Sequence, residues 1–447
     1  MLTILTRTYG SVVTAAHLVG QSRVPYLGRQ ELEAMRDRRL QRTVRYAAAT
    51  VPYYRELFRA QGIDPAEIRT ARDLDRLPLL DKATVRQNPE QFRSTSPLGQ
   101  SAVPFVTSGT TGQPLKVYHD RDSLLRNTGL NRRESDVIKN LLGERKPLRT
   151  AVITYPDNTG ARVQQFLRGS RMRPGGADYA TFYVSEPVQQ VVAKLNGYQP
   201  EVIGSYGSYL EALFRMAAAG ALDLHLPKVA FYFSDTLTDA GKRLIEDHFH
   251  VPVVSRYSAV EAFKIAFTCE QRSGFHMHED IMDLKVVDSH GRRVEPGQKG
   301  EVVISNLANH GTVLLNYRLG DIGVLSAERC SCGRSFALLS TLEGRVEDVI
   351  YLRNGGFVHP RVIWSAFKHR SGILRYQLIQ TTVDRFELRL VTVDQASFDQ
   401  STTEIVAGLH SLLGADSVIE PLRQDELQPY GSAKFRPVIA LPRESRV

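Results

Sequence analysis

The chain has 447 residues, of which 42% are hydrophobic and 23% charged, with a net charge of +9. That length exceeds one ordinary domain, the composition is that of a globular protein, and no stretch approaches the ~18–20 apolar residues that would span a bilayer. Only three cysteines occur, Cys269, Cys330 and Cys332, which argues against a disulfide scaffold and fits a reducing, cytoplasmic setting.

Residues Met1–Gly20 hold an apolar run interrupted by Thr14 and His17 and preceded only by Arg7. This fits a short amphipathic first helix better than a secretory leader. Residues 1–80 carry 13 arginines against 8 acidic residues. In Glu31–Tyr46 the arginines alternate with Glu33 and Asp37, which reads as a solvated helix face rather than a nucleic-acid stripe. The surplus positive charge would attract a small anionic substrate. No nucleic-acid or membrane partner is expected; a homodimer is permitted.

Residues 28–62 are predicted as two helices broken near Val51-Pro52, and Leu77–Asp81 as a loop leading into a helix capped by Asp81. From about residue 100, short apolar runs alternate with helical stretches. Thr150–Thr154, Glu201–Gly204, Lys228–Phe233 and Pro252–Arg256 are the expected strands of an α/β layer. Asp283–Asp288, Gly300–Ser305 and Thr312–Tyr317, separated by Gly-containing turns, predict a small antiparallel sheet. After Gly344 the order is strand (Asp348–Leu352), helix (Arg361–His369), hairpin (Arg375–Val393), helix (Thr403–Leu413) and strand (Ser417–Glu420). That βαββαβ order predicts a compact ferredoxin-like α+β unit. The expected architecture is therefore an N-terminal helical region (1–95), a large α/β core with layered sheets and the antiparallel β subdomain (96–343), and a mobile C-terminal domain (344–447).

The most informative segment is Thr107-Ser108-Gly109-Thr110-Thr111-Gly112-Gln113-Pro114. Its glycines let a backbone approach a ligand closely, and its hydroxyls can wrap phosphate oxygens. It is neither a Walker A loop nor a dinucleotide fingerprint. Three further segments follow in order: Tyr257-Ser258-Ala259-Val260-Glu261, Tyr317-Arg318-Leu319-Gly320-Asp321 and Gly344-Arg345-Val346-Glu347-Asp348. Near the C-terminus stands Gly431-Ser432-Ala433-Lys434, holding the last of only 12 lysines against 45 arginines.

Together these resemble the adenylate-forming superfamily of acyl-CoA synthetases, luciferases and adenylation domains. The resemblance implies that Thr107–Gly112 bind the phosphates of ATP, that Tyr257 and Ser258 border adenine, and that Glu261 holds Mg²⁺. It implies that Asp321 clamps the ribose and Arg345 contacts the nucleotide. Glu347 would be the hinge pivot and Lys434 the mobile catalytic cation. Ser258 and Ala433 replace the usual glycines, and Glu347 the usual Asp or Lys. Arg45–Arg55, Leu77-Pro78 with Lys82, and Pro200–Leu210 are similar to the phenylacetate–coenzyme A ligase branch. Ser234-Asp235-Thr236 stands where Gly-Glu is usual, and Thr154–Asn158 where an aromatic Gly-rich segment is typical, as in capsule-polysaccharide relatives of the branch. The implied reaction joins a carboxylic acid to ATP as an acyl-adenylate, then to coenzyme A; the alternative acceptor is an amine or an alcohol of a sugar. Arg132, Arg133, Arg168 and Arg171 would meet an acidic substrate or else lie exposed on helices.

Cys269, His276, Cys330 and Cys332 have ligand types able to form a tetrahedral Cys₃His zinc site, with His278 as a substitute ligand. The alternatives are buried free thiols and a Cys330–Cys332 disulfide switch. The phenylacetate-type branch carries a similar Cys-x-Cys-Gly-Arg.

Overall fold

In the computed structural model the described residues are 2–107, 115–144, 146–170, 178–343, 349–353, 356–367, 370, 372–427 and 436–441. Five helices open the chain: α1 (Leu2–Leu18), α2 (Arg29–Thr50), α3 (Pro52–Gln61), α4 (Lys82–Gln87) and α5 (Pro97–Gln100). The expected break is sharp because Pro52 begins α3, while Val51 before it is extended (φ −106°, ψ 117°); proline lacks the N–H a continuing helix needs. Asp81 caps α4 by accepting a hydrogen bond from Thr84 N at 2.7 Å. The arginines of α2 are less solvated than the sequence suggests. Arg29 pairs with Glu279 at 2.8 Å, and Arg39 Nη1 donates to Asp280 O at 2.8 Å, because α2 lies across the turn that holds both acids.

The central segment runs β1 (Val103–Val106), β2 (Lys116–His119), α6 (Arg121–Leu142), β3 (Thr150–Thr154), α7 (Thr159–Ser170), β4 (Tyr179–Tyr183), α8 (Val188–Tyr198), β5 (Val202–Tyr206), α9 (Gly207–Ala218), β6 (Val229–Phe233), α10 (Asp239–Arg243) and β7 (Val253–Ala259). There follow β8 (Phe263–Thr268), β9 (Phe275–Met277), β10 (Met282–Val287), β11 (Lys299–Asn306), β12 (Tyr317–Leu325) and β13 (Leu338–Glu343). One 11-stranded sheet contains all of β3–β13, in the order β10-β11-β12-β13-β9-β8-β7-β6-β5-β3-β4. The neighbours from β4 to β7 are parallel, and those from β7 to β10 antiparallel. The antiparallel strands foreseen from the sequence thus continue the parallel sheet edge to edge.

All five residues of β5 are buried, as a parallel strand covered on both faces must be. Its exit into α9 is tight: a Cβ on Gly207 would lie 2.4 Å from Leu237 N. The strand expected at Thr312–Tyr317 begins only at Tyr317. The preceding N–H groups are spent elsewhere: Val313 N bonds Phe92 O at 3.1 Å and Leu315 N bonds Tyr54 Oη at 2.8 Å, tying the sheet to the N-terminal helices.

The C-terminal elements are β14 (Ile350–Tyr351), β15 (Phe357–Val358), α11 (Pro360–Ser365), β16 (Ile373–Gln380), β17 (Arg385–Thr392), α12 (Gln395–Leu413), β18 (Val418–Arg423) and β19 (Val438–Ile439). Their four-stranded sheet has the order β18-β17-β16-β19. The expected first strand lies outside it, because its backbone turns straight back and pairs with β15, leaving the edge beside β16 to β19.

Two large cores result. One joins Ile153, Ile203, Leu210, Leu213 and Val253 to Ile350, Ile363 and Leu378 of the C-terminal elements. The other joins Leu40, Val44, Tyr54 and Phe58 of α2 and α3 to Val302, Ile304 and Tyr317. Each fully buried aliphatic side chain contributes about 1.5–3 kcal/mol by leaving water.

Candidate active site and candidate metal centre

The strands β1 and β2 form an antiparallel hairpin in which Val106 pairs with Lys116. Its mouth is pinned twice: Thr107 N donates to Leu115 O, and Leu115 N donates to Thr107 Oγ1, both at 2.9 Å. Ser108, Gly109, Thr110, Thr111 and Gly112 lie outside the described residues. The hairpin seats directly on the segment that follows β7. His119 Nε2 is 2.7 Å from Val260 O, and Phe105 meets Phe263 edge-on at 5.2 Å. Burial drives the His119 imidazole down to about 4, so it is neutral near pH 7, and Nε2 facing a carbonyl is the nitrogen that carries the proton.

Tyr257 near the carboxyl end of β7 is 8% exposed and donates its hydroxyl to Asp321 Oδ2 of β12 at 2.8 Å. Ser258, next along, is partly exposed. Glu261 is buried, and its Oε1 meets both Tyr317 Oη at 3.0 Å and Lys82 Nζ at 3.2 Å. Burial pushes the Glu261 carboxyl up, but the Lys82 charge and the hydrogen bonds outweigh it and hold the group below its ordinary value. Segments near residues 107, 260 and 320 therefore converge through direct contacts. Arg345, Glu347 and Lys434 lie outside the described residues.

Lys82, His119 and the Tyr317 hydroxyl carry roles here that sequence reasoning did not assign. The signal for Lys82 was present: a scarce lysine fixed at a helix start by the Asp81 cap. His119 gave no such signal, since an isolated histidine ending a short strand has no pattern.

The carboxyl ends of β5 and β6 hold a second polar group of side chains. Asp235 is buried, accepts from Gly207 N at 2.5 Å and binds the Ser208 hydroxyl. His359 is fully buried, with Nε2 3.1 Å from Ser208 Oγ and its ring stacked on Tyr206 at 4.4 Å. Carboxyl ends of parallel strands are where open α/β sheets bind ligands.

The four residues expected as metal ligands come together. Single donor atoms of Cys269, His276, Cys330 and Cys332 all lie within 4.8 Å of one another. Cys269 Sγ is 3.6 Å from Cys330 Sγ, and Cys332 Sγ is 3.3 Å from His276 Nε2. His276 Nδ1 sits 3.3 Å from Phe336 O, so Nδ1 carries the proton and Nε2 is left as the ligand atom. Burial pushes the Cys269 thiol up to about 12 and the His276 imidazole down to about 4. A buried thiolate of this kind forms only beside a cation, so the donor set fits a tetrahedral zinc ion. All three thiols are free. His278 is not part of this group: its Nδ1 faces Arg133 Nη1 at 2.9 Å and its ring stacks on Phe267 at 5.1 Å.

Of the arginines expected either to meet an acidic substrate or to lie exposed, two are engaged within the protein. Arg133 is buried and binds both oxygens of Asp280 at 2.8 and 2.9 Å. Arg132 pairs with Asp136 at 2.9 Å, Arg168 is exposed, and Arg171 lies outside the described residues.

The β1–β2 hairpin, its mouth pinned by Thr107 and Leu115, thus sits against the β7–β8 connection with the carboxylates of Glu261 and Asp321 held nearby. No protein-family profile matches the chain. It is 27% identical over 436 residues to phenylacetate–coenzyme A ligase of Thermus thermophilus, covering 90% of each. It is 24% identical over 343 residues to the enzyme of that name from Escherichia coli, covering 72% and 73%. Protein CapK of Staphylococcus aureus matches at 20% over 374 residues, 82% and 80% of the two chains. Among solved structures, 2-hydroxyisobutyryl-CoA ligase in its postadenylation state superposes with a TM-score of 0.60 at 20% identity, covering 94% of this chain and 91% of that one; this likeness shows the fold. Over most of its length the chain is similar to phenylacetate–coenzyme A ligases, and its fold is that of an acyl-CoA ligase.

Proposed function

We propose that the chain joins a carboxylic acid to ATP as an acyl-adenylate and then passes the acyl group to coenzyme A. In the first step a carboxylate oxygen bonds to the α-phosphorus and the bond to pyrophosphate breaks. In the second the thiol sulfur bonds to the acyl carbon, its proton leaves to solvent, and AMP departs. The observation that carries this reading is the convergence of the Thr107–Leu115 hairpin mouth with Glu261, Tyr257 and Asp321.

Each residue has a physical task. The hydroxyls of 107–111 and the N–H groups of 108–112 bind phosphate oxygens, and Tyr257 lies against adenine while steering Asp321 toward the ribose hydroxyls, which an ionised carboxylate accepts strongly. Glu261, kept ionised by Lys82 and Tyr317, is the residue that would hold Mg²⁺, which when bound screens phosphate charge. Arg345 contacts the nucleotide. Lys434, on the segment near the chain end, neutralises charge as carboxylate and α-phosphate approach. A hinge at Glu347 and a mobile unit from residue 344 onward would withdraw it for the second step. Cys269, His276, Cys330 and Cys332 hold a structural zinc ion. The setting is cytoplasmic; among the described residues no helix is long and apolar enough to cross a membrane. The relatives named for coenzyme A ligation favour a thiol over an amine or sugar acceptor.

The test is acid-dependent ATP–pyrophosphate exchange across a panel of aryl, fatty and sugar acids, with Lys434→Ala as control. Exchange with at least one acid, lowered by roughly 100-fold or more in the variant, is expected. Exchange by the variant at the wild-type rate would refute the role of Lys434, and no exchange with any acid would refute the reaction.

A further inference from the structure

From Arg7 onward, the first helix carries large apolar side chains outward. Where α1 crosses α6, Gly10 and Thr14 are buried, and His17 Nε2 meets Asp122 at 2.8 Å. Tyr9, Val12 and Val19 face solvent at 71%, 63% and 78% exposure. With Ala16, also exposed, they form one stripe at helical spacing. This orientation is enforced by the contact itself. A Cβ on Gly129 of α6 would lie 2.6 Å from the His17 carbonyl oxygen, so the helices touch backbone to backbone. Rolling α1 over would turn its larger side chains toward a seam that, at Gly129, has no room for a methyl group. A contiguous apolar face held outward in this way marks a surface that meets something.

The charge around the stripe says what. No acidic residue occurs in α1, and Arg7 is exposed. Helix α7 packs beside it with Arg162 and Arg168 exposed and no acidic residue of its own. The nearby acids of α6 are engaged: Asp122 with His17 and Arg126, Asp136 with Arg132. A second copy of the chain is a poor occupant, because a two-fold pairing through α1 would oppose these arginines to their own symmetry mates.

We propose that α1, flanked by α7, docks this protein on an anionic lipid surface, with the helix in the interfacial plane and Tyr9, Val12 and Val19 entering the headgroup boundary. The sequence alone, scanned for spanning segments, had suggested no membrane partner. Docking of this kind is reversible and adds to the ligase reaction rather than replacing it.

Flotation with vesicles of 3:1 phosphatidylcholine to phosphatidylglycerol tests the proposal. The wild-type protein is expected to float with them at low salt, and at least about tenfold less with pure phosphatidylcholine or at high ionic strength. Val12→Asp with Val19→Asp is expected to abolish flotation while leaving vesicle-free thermal unfolding and pyrophosphate exchange unchanged; Arg7→Glu is expected to weaken it about fivefold or more. Wild-type protein that stays at the bottom of both gradients, or a Val12/Val19 variant that floats like wild type, would overturn the proposal. So would light scattering that finds a wild-type dimer converted to monomer by the same double substitution, which assigns the face to self-association.

Discussion

Replacing Lys82 by methionine keeps the length of the side chain and removes its charge from beside Glu261. At 3.2 Å the attraction is about 5 kcal/mol at an effective dielectric near 20. The Lys82 side chain is 28% exposed, so solvent and side-chain ordering reduce the net contribution to about 2 kcal/mol. That corresponds to roughly a 30-fold change in an equilibrium constant. The Glu261 carboxyl now lies below its ordinary value. The stability this gives is complete above the unfolded carboxylate pKa and is lost as pH falls through the lower folded value. In the variant a backbone N–H and the Tyr317 hydroxyl remain to oppose burial, without the Lys82 charge, so the carboxyl titrates at higher pH. The acid limb of the pH profile for pyrophosphate exchange should therefore shift upward, and the urea midpoint followed by circular dichroism at pH 7 should fall. Lys82→Arg, which restores the charge, should recover much of both. A methionine variant with the wild-type acid limb and the wild-type midpoint would refute the reasoning.

Asp321→Ala should raise KM for ATP by roughly 10- to 100-fold, since one ionised acceptor serving the ribose is worth about 1.5–3 kcal/mol; steady-state kinetics against ATP checks this, and it should leave the fold in place. Purified protein should contain close to one zinc ion per chain by elemental analysis, with Cys332→Ser losing it and unfolding at lower temperature. The buried Arg133–Asp280 pair supplies a pH signature of its own. Burial opposes the Asp280 charge, but Arg133 overrides it and holds the carboxyl at about 2. About 2 kcal/mol of stability present at pH 7 should then fade between roughly pH 5 and 2. Asp280→Asn should lower the urea midpoint at pH 7 and flatten that dependence.

Much of this was legible in the sequence, and for local reasons. The α2–α3 break follows from Pro52, the start of α4 from the Asp81 cap, and the parallel strands from short apolar runs between helices. The metal-ligand types stood out because the chain has no other cysteines. What sequence left open depends on contacts between distant segments. The arginines of α2 look solvated until Glu279 and Asp280 are brought beneath them. Arg133 looks like a surface residue until the fold sets Asp280 against it. The Thr312–Asn316 segment has a strand pattern, yet partners on α3 and the Phe92 turn claim its backbone before a ladder can form. His278 offers the right ligand chemistry but lies just past the end of β9, where its Nδ1 faces Arg133 and its ring stacks on Phe267. The outward stripe of α1 was visible as periodicity, but periodicity does not say which face the neighbour takes.

The most direct measurement is a crystal structure of the chain with Mg²⁺ and the unreactive analogue α,β-methylene ATP. The ribose hydroxyls should lie on Asp321, the adenine against Tyr257 and the phosphates on the turn between Thr107 and Leu115. A nucleotide bound elsewhere, or one whose phosphates ignore that turn, would contradict the assignment of this site.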